Sequence, residues 1–196
     1  MADGLYAASD GTRANMPRWF RKSEKKLSRE QRKLTRQTKG SARYEKQRRR
    51  TAKHQRHVAN QRKDFLHKKS AEITNQYDII SVEDLSLAGM SRGLHLGKTV
   101  HDSGYGRFVE MLSYKQARKK HMLIKVDRFY PSSQLCHVCG YKNTITKDLS
   151  VRTVTCPKCG TVYDRDINAA KNIDAEGLRI YRNICSAKKN ISAVTV

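Results

Sequence analysis

Long apolar runs are missing from this sequence. No stretch of about 18 apolar residues occurs, so nothing in it reads as a helix that spans a bilayer. Its start has neither the apolar segment nor the cleavage site of a signal peptide. Hydrophobic residues are also sparse, at 37% of 196, so a core must be concentrated in part of the chain. That length suits one compact domain with an appendage, or two small domains. Acids are scarcer still: 18 Asp+Glu stand against 41 Lys+Arg, a net charge of +23. Such an excess repels itself unless a polyanion neutralises it, which makes nucleic acid the leading partner and an anionic membrane surface the weaker one. Five cysteines, four of them in CxxC pairs, suggest a reducing compartment and zinc in place of disulfides.

The charge is unevenly spread. Residues 18–69 hold 21 Lys+Arg and four acids (Glu24, Glu30, Glu45, Asp64), which is +17 of the total. Helix breakers are nearly absent there apart from Gly40. Phe20, Leu27 and Leu34 fall seven apart, as do Tyr44, Thr51, Val58 and Phe65. Each series makes a narrow seam on one helix, which predicts an antiparallel hairpin turning at Lys39–Ser41. A solvated pair of charged helices is the plain alternative, but such pairs usually carry balancing acids. The broad basic surface left outside the seam points to a nucleic-acid backbone, with Lys25, Arg29, Arg32, Arg36, Arg48, Arg49, Arg50 and Arg62 as candidate contacts.

Around this segment the pattern is mixed. "LYAASDGT" predicts a short strand, Leu5–Ala8, and an Asp-Gly hairpin turn, with a second strand running up to Pro17. "DIISVEDL", Asp78–Leu85, is the clearest strand and ends in adjacent acids. "SLAGMSRGLHLGKTV" reads as a Gly-rich connection. Asp102 or Ser103 can cap a helix running to about Lys120, with a face of Phe108, Met111, Leu112 and Lys115. "HMLIKVDRFY" alternates into a further strand, and a last helix is expected near Asp166–Asp174. Residues 176–196 carry little signal, and Cys185 reads as an incidental thiol.

Cys136-x-x-Cys139-Gly140 and Cys156-x-x-Cys159-Gly160 carry the most specific pattern. Zinc takes four soft ligands at tetrahedral corners, and each knuckle offers two thiolates from one tight turn. With four cysteines the shell is closed, so the ion would be structural. A disulfide or a redox CxxC is the alternative, though doubled knuckles fit neither well. His137 lies within a knuckle whose shell is already complete.

Glu83 ends a strand, and Asp166 stands where a helix starts beyond the second knuckle. Singly, Glu83 reads as a surface acid and Asp166 as an N-cap. The segments "RKSEKKLSREQRKL", "NQRKDFLHKKS", "SVEDLSLAGM", "VDRFYPSSQLCHVCG" and "CPKCGTVYDRDINAAKNI" change that balance. From Trp19 to Ile173 the chain resembles the C-terminal half of TnpB proteins, the OrfB-type transposon-encoded RNA-guided nucleases related to type V CRISPR effectors. The segments follow the family's order, and the run from Trp19 to Ile173 spans about four-fifths of the chain.

The resemblance implies an α/β fold: an RNase H-like (RuvC) core, incomplete at its N-terminus, with an inserted basic helical hairpin and a four-cysteine zinc ribbon. Its expected division is 1–17 as remnant N-terminal strands, 18–77 as the hairpin, 78–130 as strand-helix-strand, 131–163 as the ribbon, and 164–196 as the closing helix and tail. Three carboxylates would hold two Mg²⁺ for phosphodiester cleavage. Glu83 matches the second acid and Asp166 the third. Asp164 is read as supporting, and Arg165 as a phosphate contact or a residue that orients the aspartates. The family's first acid lies ahead of the Ser9–Thr12 hairpin and has no match here, since Asp3 and Asp10 belong too near that turn. The expectation is therefore a separated or truncated C-terminal part, partnered by DNA, guide RNA and an N-terminal half, located in the cytoplasm at the nucleoid, with no membrane contact. The alternatives are a nuclease-dead nucleic-acid-binding piece and a decayed gene product.

Overall fold

The computed structural model describes residues 4–17, 19–86, 104–148 and 150–192, without the side chains of 20–22, 147 and 188–192. The Gly-rich connection after Ser86, the candidate caps Asp102 and Ser103, and the Phe20 side chain lie outside that description.

The chain opens with β1 (Gly4–Ala7) paired antiparallel to β2 (Arg13–Asn15), closed by a turn in which the Thr12 N–H donates to Asp10 Oδ1 at 2.8 Å. Two helices follow, α1 (Trp19–Thr35) and α2 (Ala42–Gln76), with Ser41 capping the second by accepting from the Tyr44 N–H. They run antiparallel. Gln47 near the start of α2 donates to the carbonyl and carboxylate of Glu30 near the end of α1, and Trp19 meets Phe65 edge-on at 5.5 Å. Leu27, Thr51 and Val58 of the seven-spaced series are buried. With 35 residues, about 52 Å at 1.5 Å per residue, α2 outruns its 17-residue partner. Its far half (Leu66, Ser70, Thr74) is buried where it packs on α3 (Tyr105–Arg118).

β3 (Ile79–Glu83) and β4 (Met122–Val126) pair parallel and in register, from Ile79 opposite Met122 to Glu83 opposite Val126. A parallel pair needs a crossover, and α3 supplies it. Gly104 is the N-cap of α3, at φ 62°, without a side-chain cap bond. Gln116 of α3 is fully buried and donates to the Tyr77 and Asp78 carbonyls, tying the end of that helix to the start of β3. One core gathers Leu5 and Ala14 from the first hairpin, Leu66 from α2, Ile80 from β3, and Phe108, Met111 and Leu112 from α3. Lys115, on the same helical face, turns its Nζ to the His67 carbonyl and Ser70 Oγ, both at 2.7 Å. The two paired sheets thus share a core without sharing a hydrogen-bonded edge.

Beyond β4 come a single 3-10 turn, Thr144–Lys147, the antiparallel pair β5 (Thr153–Thr155) and β6 (Val162–Asp164), and α4 (Arg165–Ser192). α4 runs well past the expected Asp166–Asp174 and takes in most of the segment that carried little sequence signal. It packs on β3 and β4. At Gly177 the approach is so close that an added Cβ would lie 1.9 Å from Ser81 Oγ and 2.6 Å from Ser81 Cβ. Among the described residues no helix is long and apolar enough to cross a membrane.

Candidate functional site

The four ribbon cysteines converge. Their Sγ atoms all lie within 4.8 Å of one another, with Cys136–Cys159 at 3.7 Å and Cys139–Cys156 at 3.6 Å. These gaps are too long for disulfides, whose sulfurs are bonded at about 2.05 Å. They match the edge of about 3.8 Å that a tetrahedron built on zinc–sulfur bonds of about 2.3 Å would have. The two knuckles are built alike. Cys136 and Cys156 each accept at their carbonyls from the glycine four residues on, and each amide donates back across the turn, to Tyr141 and Thr161. Gly140 and Gly160 sit at φ 71° and 72°, the left-handed backbone that closes such a turn. The donor set can therefore hold a metal such as zinc, with every tetrahedral corner taken by a thiolate.

α4 begins immediately after β6, and its first turn is anchored by acids. Asp164 accepts from the amides of Asp166 and Ile167 at 2.9 and 3.0 Å, so Asp164 is the N-cap, the role that Asp166 was the candidate for. It also pairs with Arg13 of β2. These bonds hold the Asp164 carboxyl below its usual range against the opposing effect of burial. Asp166 is left on the helix's first turn, 24% exposed, with Arg152 at 3.2 Å and Arg165 at 3.7 Å. Arg165 itself is buried and donates to the Asp148 carbonyl, so it is engaged inside the protein.

Glu83 ends β3. Side chains two apart on a strand share a face, so Glu83 points to the side of Ser81, the side that Gly177 of α4 covers. Burial pushes the Glu83 carboxyl upward, and among the described residues no cation pairs with it. Tyr105 of α3 donates to the Glu83 carbonyl, and its phenol is pushed up to about 12 by burial and by the charges of Glu83 and Asp84. Neighbouring Asp84 is taken by Arg128 at 3.0 Å and Lys125 at 3.6 Å.

The chain leaving β4 runs along α4 toward that helix's start. The Ser132 carbonyl accepts from Asn172, and the Leu135 carbonyl from both Asn168 and Asn172. The first turns of α4 are thus tied to the segment that leaves the carboxyl end of β4, the strand paired in parallel with β3.

Two residues that sequence reasoning passed over do this docking. Asn168 is fully buried. Its side chain donates to Leu135 O at 2.7 Å and accepts from the His137 amide at 2.9 Å, beside the His137 ring at 3.0 Å. Asn172 donates to Ser132 O at 2.8 Å and to Leu135 O at 2.7 Å. The signal was their four-residue spacing in "INAAKNI", one helical face presented to one turn of the ribbon.

The basic candidates lie on the hairpin. Lys25, Arg29, Arg32, Arg36, Arg48, Arg49 and Arg50 are exposed, with Arg48 paired to Glu45 at 2.9 Å. Arg62 is half-buried, its stem close to Gly104 at the start of α3.

Comparison with known proteins agrees with this layout. Residues 3–93 match a family described as "Probable transposase", and residues 105–173 match the "Cas12f1-like, TNB domain". A Streptomyces pristinaespiralis protein named "Putative RNA-guided DNA endonuclease" is 36% identical over 174 residues, covering 89% of this chain and 43% of that protein. The chain belongs to the TnpB/OrfB transposase family. InsQ of Escherichia coli K12, a second protein named "Putative RNA-guided DNA endonuclease", is 31% identical, with 88% of this chain and 46% of InsQ aligned. The TnpB-like protein L79 of Acanthamoeba polyphaga mimivirus is 32% identical over 61% of this chain. The chain thus spans a little under half the length of the first two TnpB-family relatives. A Cas12f1 chain from a cryo-EM structure with sgRNA and target DNA shares the fold at a TM-score of 0.54 and 19% identity, over 83% of this chain and 43% of that one.

Proposed function

We propose that this chain is the nuclease-and-ribbon portion of a TnpB-family RNA-guided DNA endonuclease, with Glu83 and Asp166 as metal-binding carboxylates of a RuvC-type, RNase H-like core. The observation that carries the reading is Glu83: a half-buried carboxylate at the carboxyl end of a parallel strand, unpaired by any described cation, on the face covered by the helix whose first turn bears Asp166. Burial without a counter-charge is costly for an acid, and a divalent cation would relieve it. When bound, Mg²⁺ would activate water and neutralise charge at the leaving oxygen. Asp164 caps the helix and so orients Asp166, while Arg152 and Arg165 hold the Asp166 carboxylate in position. Zinc would lock the ribbon, and with it the loop that Asn168 and Asn172 dock on α4.

A third carboxylate would come from a strand outside the described residues. Among the described residues these two-stranded sheets rest on one core with unpaired edges, which a further strand could cover. The test is Mg²⁺-dependent cleavage of guide-matched DNA by the chain supplied with guide RNA and the remaining half of a relative. Cleavage should fall by orders of magnitude in both Glu83→Gln and Asp166→Asn. Undiminished cleavage in either variant would reject the assignment of that acid.

A second reading, a nuclease-inactive binder of DNA or RNA, is favoured by the exposed stripe of Arg29, Arg32 and Arg36 on α1. Salt-sensitive binding without cleavage in the same assay would select it.

A further inference from the structure

Between α1 and α2 lies an open cleft of about 440 Å³, lined by Lys26 and Glu30 on α1 and by Arg50, Lys53, His54 and His57 on α2. The four α2 residues follow the i, i+3, i+4, i+7 spacing that puts side chains on one helical face. Three fixed cations and two imidazoles meet a single carboxylate. That carboxylate is already engaged: Glu30 accepts from Gln47 Nε2 at 2.7 Å and has Lys33 Nζ at 3.6 Å. Its charge is shared among these partners and Arg50 across the cleft, one carboxylate against three fixed cations. His54 Nε2 is buried and has no hydrogen-bond partner among the described residues, an arrangement that costs stability unless something fills it. The cleft has the volume of a small-ligand site and exceeds what one tetrahedral anion needs.

We infer that this cleft is a phosphate-binding site, with Lys26, Arg50 and Lys53 supplying charge and His54 and His57 donating hydrogen bonds to the phosphate oxygens. Phosphate suits the lining because several charged donors converge from two helices on one point, and charge-assisted hydrogen bonds to its oxygens are strong. The phosphate could belong to a nucleic-acid strand or to a free nucleotide. Neither Glu83 nor Asp166 takes part, so the site stands apart from the nuclease reading and narrows the nucleic-acid reading to one seat.

The test follows the His54 and His57 imidazole NMR signals of the full zinc-loaded chain. Pyrophosphate and a ten-nucleotide oligothymidylate are titrated separately into the wild type and into Lys53→Ala, His54→Gln and Lys63→Ala, each first checked for native circular dichroism. Lys63, exposed on the same helix, removes one equal charge away from the cleft. Saturable shifts are expected, with affinity lowered roughly tenfold by Lys53→Ala and by His54→Gln and less than about twofold by Lys63→Ala. Shifts with the oligonucleotide alone assign the phosphate to a strand, and shifts with pyrophosphate alone assign it to a free phosphate. Oligonucleotide binding that leaves both imidazoles unmoved would overturn the site while sparing the basic-surface reading. Equal losses in all three variants would overturn it too, by reducing the effect to diffuse charge.

Discussion

Glu83, the proposed metal-binding carboxylate, is held at a cost to the fold. Because its folded value is raised above the ordinary 4.5, the native state binds its proton more tightly than the unfolded chain does. Stability therefore falls as pH rises through the window above 4.5, and the penalty persists at neutral pH. Glu83→Gln should raise the melting temperature at pH 7 by about 2–4 °C, the order that ~1 kcal/mol makes in a chain of this size, with partial exposure limiting it. The gain should vanish near pH 4. A melt run across pH in Mg²⁺-free buffer checks this, and a variant no more stable than wild type at pH 7 would refute the burial argument. Asn168 lies at the opposite extreme, a neutral side chain with every polar atom engaged. Asn168→Ala leaves the His137 amide and loosens the Leu135 carbonyl, at about 1–3 kcal/mol for each buried group left unsatisfied. A lower melting temperature and faster amide exchange across Leu135–Gly140 are expected, while Asn168→Asp should keep the His137 contact but set a buried carboxylate oxygen against the Leu135 carbonyl, and so also destabilise.

Between elements, the contact that decides most is the crossing of α4 over β3. Gly177→Ala brings a Cβ against the Ser81 side chain. Rotation can remove the hydroxyl from the way but not Ser81 Cβ. Overpacking of this kind costs about 1–3 kcal/mol. Ser81→Gly in the same chain should recover most of it, and a double-mutant cycle by denaturant unfolding reads the coupling. Additive effects would mean that the two residues do not meet. The helical elements differ in how far they could be read from sequence. The heptad spacing of Leu27, Thr51 and Val58 located the α1–α2 seam because that face is buried against one partner only. α4 was underread because its neighbours include β3, β4 and the ribbon, so its buried face mixes Asn168, Asn172 and Gly177 with apolar residues and shows no clean apolar stripe.

For the whole molecule, the charge of +23 and the four-sulfur cluster set the behaviour in solution. Single-stranded DNA binding should weaken linearly in log–log plots against salt, with a slope near −0.7 per phosphate neutralised. Replacing Arg29, Arg32 and Arg36 together by alanine should reduce that slope by about 2, and an unchanged slope would place the contacts elsewhere. One zinc per chain is expected by elemental analysis. Strong chelation should expose the β5–β6 amides to exchange, since metal binding supplies much of the folding free energy of so small a ribbon. Protection that survives chelation would contradict a metal-held ribbon.

Local chemistry wrote some features directly into the chain: two CxxCG knuckles, a β-branched strand ending at Glu83, and a basic segment with seven-residue seams. Each depends on neighbours in sequence, through the tight turn, the pleat or the helical repeat, so spacing alone exposes it. Other features arise where distant segments meet. Asp164, not Asp166, caps α4 because β6 delivers its carboxylate to two free amides, a matter of one residue's register. Gly104 caps α3 without a side-chain bond. Arg165 is buried under Asp148, Asn168 grips a knuckle some thirty residues earlier, and Lys26 faces His54 across two helices. No periodicity encodes these pairings, because long-range packing selects them from many sequence-compatible partners.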